Sequence, residues 1–212
     1  MYKNGEKGRS MIEMLGVLAI IAVLTVGGIA GYYKAMMKWK SNLQLNMLSE
    51  LIANGIKIKS NLNKKSQTWD NITPVIAAMG DLPEQMTYKD DKIIDKDGNT
   101  YTIMYGYQSW TNSDGSVGGQ FKYVILIYFT SQANTTLSLS VQDLCKNIVM
   151  ATKEAAEEVY TVYLLSDETQ RYTILYTKDG LKTASVSDIN QKCKQLLDKS
   201  NVAHFGILLN PY

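Results

Sequence analysis

The chain is poor in the residues that build metal and thiol chemistry: its 212 residues include one histidine and two cysteines. Two cysteines exclude a disulfide-dense mini-protein. Together with His204 they make no convincing zinc site. Proline occurs at Pro74, Pro83 and Pro211 only. Charge is nearly balanced, 22 Lys plus Arg against 20 Asp plus Glu. A net charge of +2 gives no global electrostatic reason for a nucleic-acid partner. No phosphate loop, G-x-S-x-G elbow or H-E-x-x-H is found, and no cofactor is expected. The 45% hydrophobic and 20% charged fractions are ordinary for a globular protein of one or two domains, and they exclude a disordered tail and a polytopic membrane protein.

The apolar residues are unevenly spread. Met14 to Tyr33 is a run of 20 residues without a charge, MLGVLAIIAVLTVGGIAGYY. At ~1.5 Å per residue it reaches ~30 Å, the thickness of a bilayer's hydrocarbon core. A buried core helix is the plainer alternative, but the run exceeds what a small domain normally encloses. A secretory signal would have a shorter apolar stretch and a small-x-small cleavage site. Here the run enters Tyr32-Tyr33-Lys34 with no Ala-x-Ala pattern, so a retained membrane helix fits better. Glu13 stands at its edge, where an ionisable group is costly and suggests function. Lysines and Arg9 before the helix match the lysines after it, so the positive-inside comparison is a tie.

The hydrophilic leader MYKNGEKG, then Gly8-Arg9-Ser10-Met11-Ile12-Glu13-Met14-Leu15 and an apolar helix, resembles the class III signal of type IV pilins and related pseudopilins. The resemblance is specific over residues 8–33 and looser beyond. It implies that a prepilin peptidase cuts between Gly8 and Arg9 and methylates the new N-terminus. It also implies that Glu13, five residues after Gly8, guides assembly. A carboxylate four residues along can pair with the new α-amine of its own or a neighbouring chain, because an unpaired buried carboxylate is expensive. The sequence departs from the family in having Arg9 where an apolar residue is usual. It also has Gly27, Gly28 and Gly31, with Thr25, where many members carry a helix-bending proline.

Beyond Lys34 the helix is expected to continue. Met36, Leu43, Met47 and Leu51, with Leu48 and Ile52, trace one face of an amphipathic helix that ends near Gly55 and the polar run Ser60 to Ser66. From Ser10 to about Ile58 this is a single helix ~70 Å long. Its second half needs a soluble domain along it. Thr73-Pro74 is read as the N-cap and first residue of a short helix ending at Met79. Lys92 to Ile94 and Asn99 to Tyr105 flank the Asp97-Gly98 hairpin signal. The Asp95–Asn99 stretch superficially resembles a calcium loop, but its glycine is misplaced. Phe121 to Thr130 reads as a central strand, after a long exposed loop from Ser109 to Gln120. Tyr101, Tyr105, Tyr107 and Trp110 read as sheet packing, with a surface adhesive patch as the weaker reading. A stripe from Val141 to Val159 is helical. Val159 to Leu165 and Arg171 to Thr177 are strands. Asp179-Gly180 is a second hairpin turn before a strand Leu181 to Ser185. Val186 to Leu197 is a final helix, and His204 to Leu209 a last strand, which gives His204 a structural role. Asn71-Ile72-Thr73 and Asn134-Thr135-Thr136 match the glycosylation triplet, a pattern frequent by chance. The expected fold class is α+β: a long N-terminal helix on a largely antiparallel sheet, as the resemblance also implies. The expected organisation is a cleaved leader 1–8, an apolar helix 9–33, its amphipathic continuation 34–62 and a globular domain 63–212.

Cys145 and Cys193 both lie on apolar helix faces, 48 residues apart. Two buried thiols would be usual in a cytosolic protein, and a domain outside the membrane turns the balance toward a disulfide. The resemblance implies the same Cys145–Cys193 bridge, bounding a C-terminal region as in the larger, type IVb-like pilins, although those have a longer leader. It further implies a non-enzymatic filament subunit. The chain would wait in the bacterial inner membrane with its domain in the periplasm, then polymerise into a surface pilus. Its partners would be copies of itself, the prepilin peptidase, the assembly machinery with its ATPase, and the bilayer. A pseudopilin of a type II secretion system shares the same signal, and the disulfide and size lean toward the pilin. A single-pass anchored enzyme or receptor is the reading of a different class, and it needs a site within residues 63–212.

Overall fold

The computed structural model describes residues 6–59, 61–62, 69–80, 82–108, 122–130, 141–165, 172–197 and 204–209. The chain divides into two compact units, Met1–Lys40 and Ser41–Tyr212. Helix α1, Glu6–Lys59, supplies the first unit and opens the second. It starts four residues earlier than expected at Ser10, inside the hydrophilic leader, and its last turn carries Lys57 and Lys59, cations that suit the negative end of the helix dipole.

The second unit is built on an antiparallel sheet with the spatial order β2-β3-β4-β5-β8-β6-β7, and β1 beside β4. Its strands are β1 (Asp70–Asn71), β2 (Met86–Lys89), β3 (Lys92–Asp95), β4 (Thr100–Gln108), β5 (Lys122–Thr130), β6 (Val159–Leu165), β7 (Tyr172–Thr177) and β8 (His204–Leu209). The last strand is central. It pairs with β5 on one side and β6 on the other, and Phe205 to Leu209 are all buried. Two glycines admit aromatic rings from neighbouring segments: a Cβ on Gly206 would lie 2.1 Å from Cζ of Tyr163, and one on Gly106 would lie 2.6 Å from Cδ2 of Trp69. The helices are α2 (Thr73–Ala78), α3 (Val141–Glu154), α4 (Lys178–Thr183) and α5 (Val186–Leu197).

The domain half of α1 buries the predicted stripe: Met47, Leu48, Leu51 and Ile52 belong to the core, as do Ile103 and Phe129 of the sheet and Ile148 of α3. Gln44 of the same helix is buried and hydrogen-bonds Tyr101 of β4. Asn147 of α3 accepts from Ser41 Oγ at 2.9 Å and donates to Gln44 Oε1 at 2.8 Å. A buried polar group without a partner costs ~1–3 kcal/mol, so this network fixes how α1 meets α3. Farther along, Ser49 Oγ donates to Glu154 at 3.0 Å and Lys59 pairs with Glu158 at 3.4 Å.

Four local readings change. Leu181 to Ser185 is not a strand. Residues Lys178–Thr183 form α4 instead. Asp179 stands in its first turn and Lys182 in its last, which fits the helix dipole, while Lys178 and Lys182 grip Glu157 at 2.9 and 2.5 Å. The start of α2 is also different. Thr73 is inside the helix, Ile72 is the capping position, and Asn71 Oδ1 accepts the Thr73 backbone N–H at 3.0 Å. Thr73 Oγ1 is occupied elsewhere, accepting from the Ile103 N–H at 2.8 Å. Strands β1 and β2 were not anticipated. The β2–β3 hairpin turns through Asp90 and Asp91, both at positive φ, a conformation that aspartate tolerates better than most residues.

The Asp97-Gly98 hairpin forms as expected, with Gly98 at φ 82°. Asp95 is its knot. Its Oδ1 accepts the N–H groups of Asp97 and Asn99, and its Oδ2 accepts from Asn99 Nδ2 and Tyr101 Oη. Burial raises its pKa, and these hydrogen bonds oppose the shift. With both oxygens engaged by protein donors, the loop is organised as a turn rather than around a cation. Tyr101 and Tyr105 are buried in the sheet as predicted, whereas the loop 109–120 with Trp110, the side chain of Tyr107, and Asn134 to Thr136 lie outside the described residues.

Candidate functional site

The apolar half of α1 is the strongest candidate. From residue 11 to residue 35 every side chain is exposed. Val17, Leu18, Ile20, Val23 and Val26 are 52 to 73% exposed, and they point to all sides of the helix because α-helical residues advance ~100° each. Among the described residues this is the one helix long and apolar enough to cross a membrane. Burying each large apolar side chain is worth ~1.5–3 kcal/mol. The segment as a whole therefore forgoes on the order of tens of kcal/mol unless lipid or other protein covers it. Thr25 is accommodated by donating its Oγ1 to the Ile21 carbonyl at 2.8 Å, which satisfies its hydroxyl within the helix.

Glu13 is exposed in this segment, one turn past the first. Gly8 and Arg9 lie in the opening turn of α1. The predicted processing bond is thus helical in backbone, at a helix end where intrahelical hydrogen bonds are incomplete. Nothing packs where Cβ atoms on Gly27, Gly28 or Gly31 would stand, so these glycines leave room for close approach of another helix.

The cysteines meet in the second unit. Cys145 of α3 and Cys193 of α5 form a disulfide with Cα atoms 5.8 Å apart. Both are fully buried, and they tie the two helices together. Lysines finish the backbone nearby. Lys153 Nζ donates to the Ala184 carbonyl, and Lys192 Nζ to the Leu175 carbonyl. Ser185 and Asp188 form a reciprocal cap at the start of α5: Ser185 N donates to Asp188 Oδ2 at 3.0 Å, and Asp188 N donates to Ser185 Oγ at 3.1 Å. Ser185 holds the Asp188 carboxyl below its usual range.

His204 sits opposite Thr130 on neighbouring strands, with Nδ1 2.9 Å from Thr130 Oγ1. That cross-strand pair is the structural role expected of it. Among the described residues no three His, Cys, Asp or Glu side chains converge as metal ligands. Sequence reasoning missed the Ser41–Gln44–Asn147 network, in which Asn147 lies 106 and 103 residues from its two partners and no local motif marks the pairing. Comparison with known proteins finds no matching family model, no similar curated protein and no similar solved structure.

Proposed function

We propose that this chain is a structural subunit of a type IV pilus-like filament, held in the bacterial inner membrane by α1 until it is assembled. The observation that carries the reading is the wholly exposed apolar stretch of α1, placed directly behind Gly8-Arg9 and Glu13. Such a surface needs a covering that can be exchanged. Lipid covers it before assembly, and the same segments of other copies cover it afterwards, so the transfer between them costs little apolar hydration. Cleavage after Gly8 removes the charged leader, including Lys3, Glu6 and Lys7, which would otherwise be drawn into a dry filament core. It leaves an α-amine at Arg9 for which Glu13 is the compensating charge. A buried, unpaired carboxylate is disfavoured, so pairing of Glu13 with an amine selects the stagger between subunits. The domain with its buried disulfide belongs on the oxidising side of the membrane and forms the outer surface of the fibre.

The test is electron microscopy of surface fibres sheared from cells, with N-terminal sequencing of their subunit. Fibres whose subunit begins at Arg9 support the proposal. A mature protein that retains Met1 to Gly8 overturns it. Correct processing with no surface fibre, in cells whose protein export depends on the chain, transfers the reading to a secretion pseudopilin. Glu13→Ala is expected to insert in the membrane normally and to assemble poorly, and unchanged fibre yield removes Glu13 from the mechanism.

A further inference from the structure

Helix α1 changes character where its uncharged run ends. From Met14 to Ser49 the chain has no Asp or Glu, and its cations there are Lys34, Lys38 and Lys40. Lys40 is half-buried, whereas Lys34 and Lys38 are exposed. These two stand four residues apart, so their side chains rise from one face of the helix, with Cβ atoms ~5–6 Å apart. Like charges so placed repel each other. A carboxylate three or four residues away would relieve the repulsion, but those positions hold Ala30, Gly31, Ala35, Met37, Ser41 and Asn42. Among the described residues no carboxylate from elsewhere pairs with either lysine. The pair is a doubly cationic site with no anion of its own.

Its depth identifies the anion. The 20 uncharged residues from Met14 to Tyr33 match a hydrocarbon core ~30 Å thick. Lys34 follows at once, and Lys38 lies ~6 Å farther along the axis, within the polar headgroup layer of ~5–7 Å on each side. Tyr32, Tyr33 and Trp39 are exposed around them. Tyr32 and Trp39 share one side of the helix, because seven residues return it to within ~20°. Exposed aromatic rings of this kind mark the same boundary between hydrocarbon and headgroups. The lysine stems can lie along apolar surface while their ammonium groups reach the phosphates.

We propose that Lys34 and Lys38 together bind the headgroup of an anionic phospholipid, a proposal that rests on the membrane reading of α1 above. The lipid phosphodiester lies between the two ammonium groups, and Tyr32 and Trp39 hold the helix at that depth. A zwitterionic lipid brings a cation of its own beside the phosphate, so it suits a doubly cationic site less well. A carboxylate from a second copy is the competing anion. The lipid is favoured because headgroups surround every inserted chain at this depth.

The test uses the full chain in phosphatidylcholine vesicles, with electron paramagnetic resonance of chain-labelled phosphatidylglycerol and chain-labelled phosphatidylcholine. The fraction of each probe slowed by the protein gives their relative association. Phosphatidylglycerol is expected to associate about fivefold more strongly, the fold-change for one lysine near an anionic surface. Lys34→Gln combined with Lys38→Gln should bring the two lipids to within about twofold of each other, while Lys34→Arg combined with Lys38→Arg should keep the preference, since charge is what the lipid reads. Salt at ~1 M, where the screening length is ~3 Å, should also reduce it. Equal association of the two lipids with the unaltered chain overturns the proposal and leaves the membrane reading standing. A preference that survives the double glutamine change overturns it too. So does an oligomer in pure phosphatidylcholine that the glutamines disperse, if the unaltered chain prefers neither lipid, because the anion is then a second copy's carboxylate. A chain that slows neither probe overturns the membrane reading itself, and this proposal with it.

Discussion

Removing the disulfide gives the sharpest test of how the domain is held together. In Cys145→Ala combined with Cys193→Ala, the unfolded chain loses a cross-link that closes a loop of 48 residues. Chain entropy assigns such a loop ~4 kcal/mol, a large part of the ~5–15 kcal/mol that holds a typical domain folded. The sulfurs are fully buried and alanine fills less space, so packing adds to the loss rather than offsetting it. For a unit the size of Ser41–Tyr212, each kcal/mol shifts the melting midpoint by ~2–4 °C. The double variant should therefore melt ~8–16 °C lower. Circular dichroism of the full chain in micelles, compared under oxidising conditions, measures this. Burial of both sulfurs also predicts that reductant acts on the native protein only as fast as the α3–α5 region opens. A midpoint lowered by less than ~4 °C, about 1 kcal/mol, would refute the entropic argument. So would thiols that titrate at once when reductant meets the folded protein.

Three further outcomes follow from the geometry. Gly206→Ala should cost ~1–3 kcal/mol, because its Cβ would stand 2.1 Å from Cζ and 2.4 Å from Oη of Tyr163. In a Tyr163→Ala background the same change should cost less than ~1 kcal/mol, and urea midpoints that show equal costs in both backgrounds would clear the ring of blame. Asn147→Ala should destabilise the domain by ~1–3 kcal/mol, since it strands Ser41 Oγ and Gln44 Oε1. In a double-mutant cycle with Gln44→Ala the losses should be non-additive by ~0.5–3 kcal/mol, and strict additivity would mean that the two do not act together. Glu157 is held by Lys182 and Lys178, which lower its pKa from 4.5 to about 2. A depressed acid pKa stabilises the fold above the unfolded value and loses that contribution as pH falls through the folded value. The stability difference between native protein and Glu157→Gln should accordingly shrink between pH 4.5 and pH 2, and a difference independent of pH there would remove the ion pairs from the account.

Patterns that are local in the chain were legible before any coordinates. A 20-residue uncharged run is a helix seeking a low-dielectric surrounding whatever follows it. The Leu48–Leu51–Ile52 stripe, the Asp97-Gly98 turn and the apolar strand at His204 to Leu209 all carry their own periodicity or turn chemistry. Misreadings occurred where a local signal had two physical uses. Asp179-Gly180 suits a hairpin as well as a helix start, and the structure takes the helix. Thr73 is a good cap in sequence, yet the sheet claimed its hydroxyl. Asp90-Asp91 turns a hairpin without glycine, so β2 had no conventional marker.

The sequence by itself determined the α+β class, the apolar N-terminal helix, the nearness of Gly8, Arg9 and Glu13 to its start, and the two cysteines available to pair. These are properties of neighbouring residues, set by charge, side-chain period and backbone freedom. Only the tertiary structure decided that Cys145 and Cys193 come within bonding reach. It alone inserted the last strand between β5 and β6 and drew Ser41, Gln44 and Asn147 into one buried network. The bulge that buries both Leu175 and Tyr176 was likewise its doing. Each of these depends on which distant segments share the core, and the free energy that chooses among such pairings belongs to the packed whole rather than to any stretch of the chain.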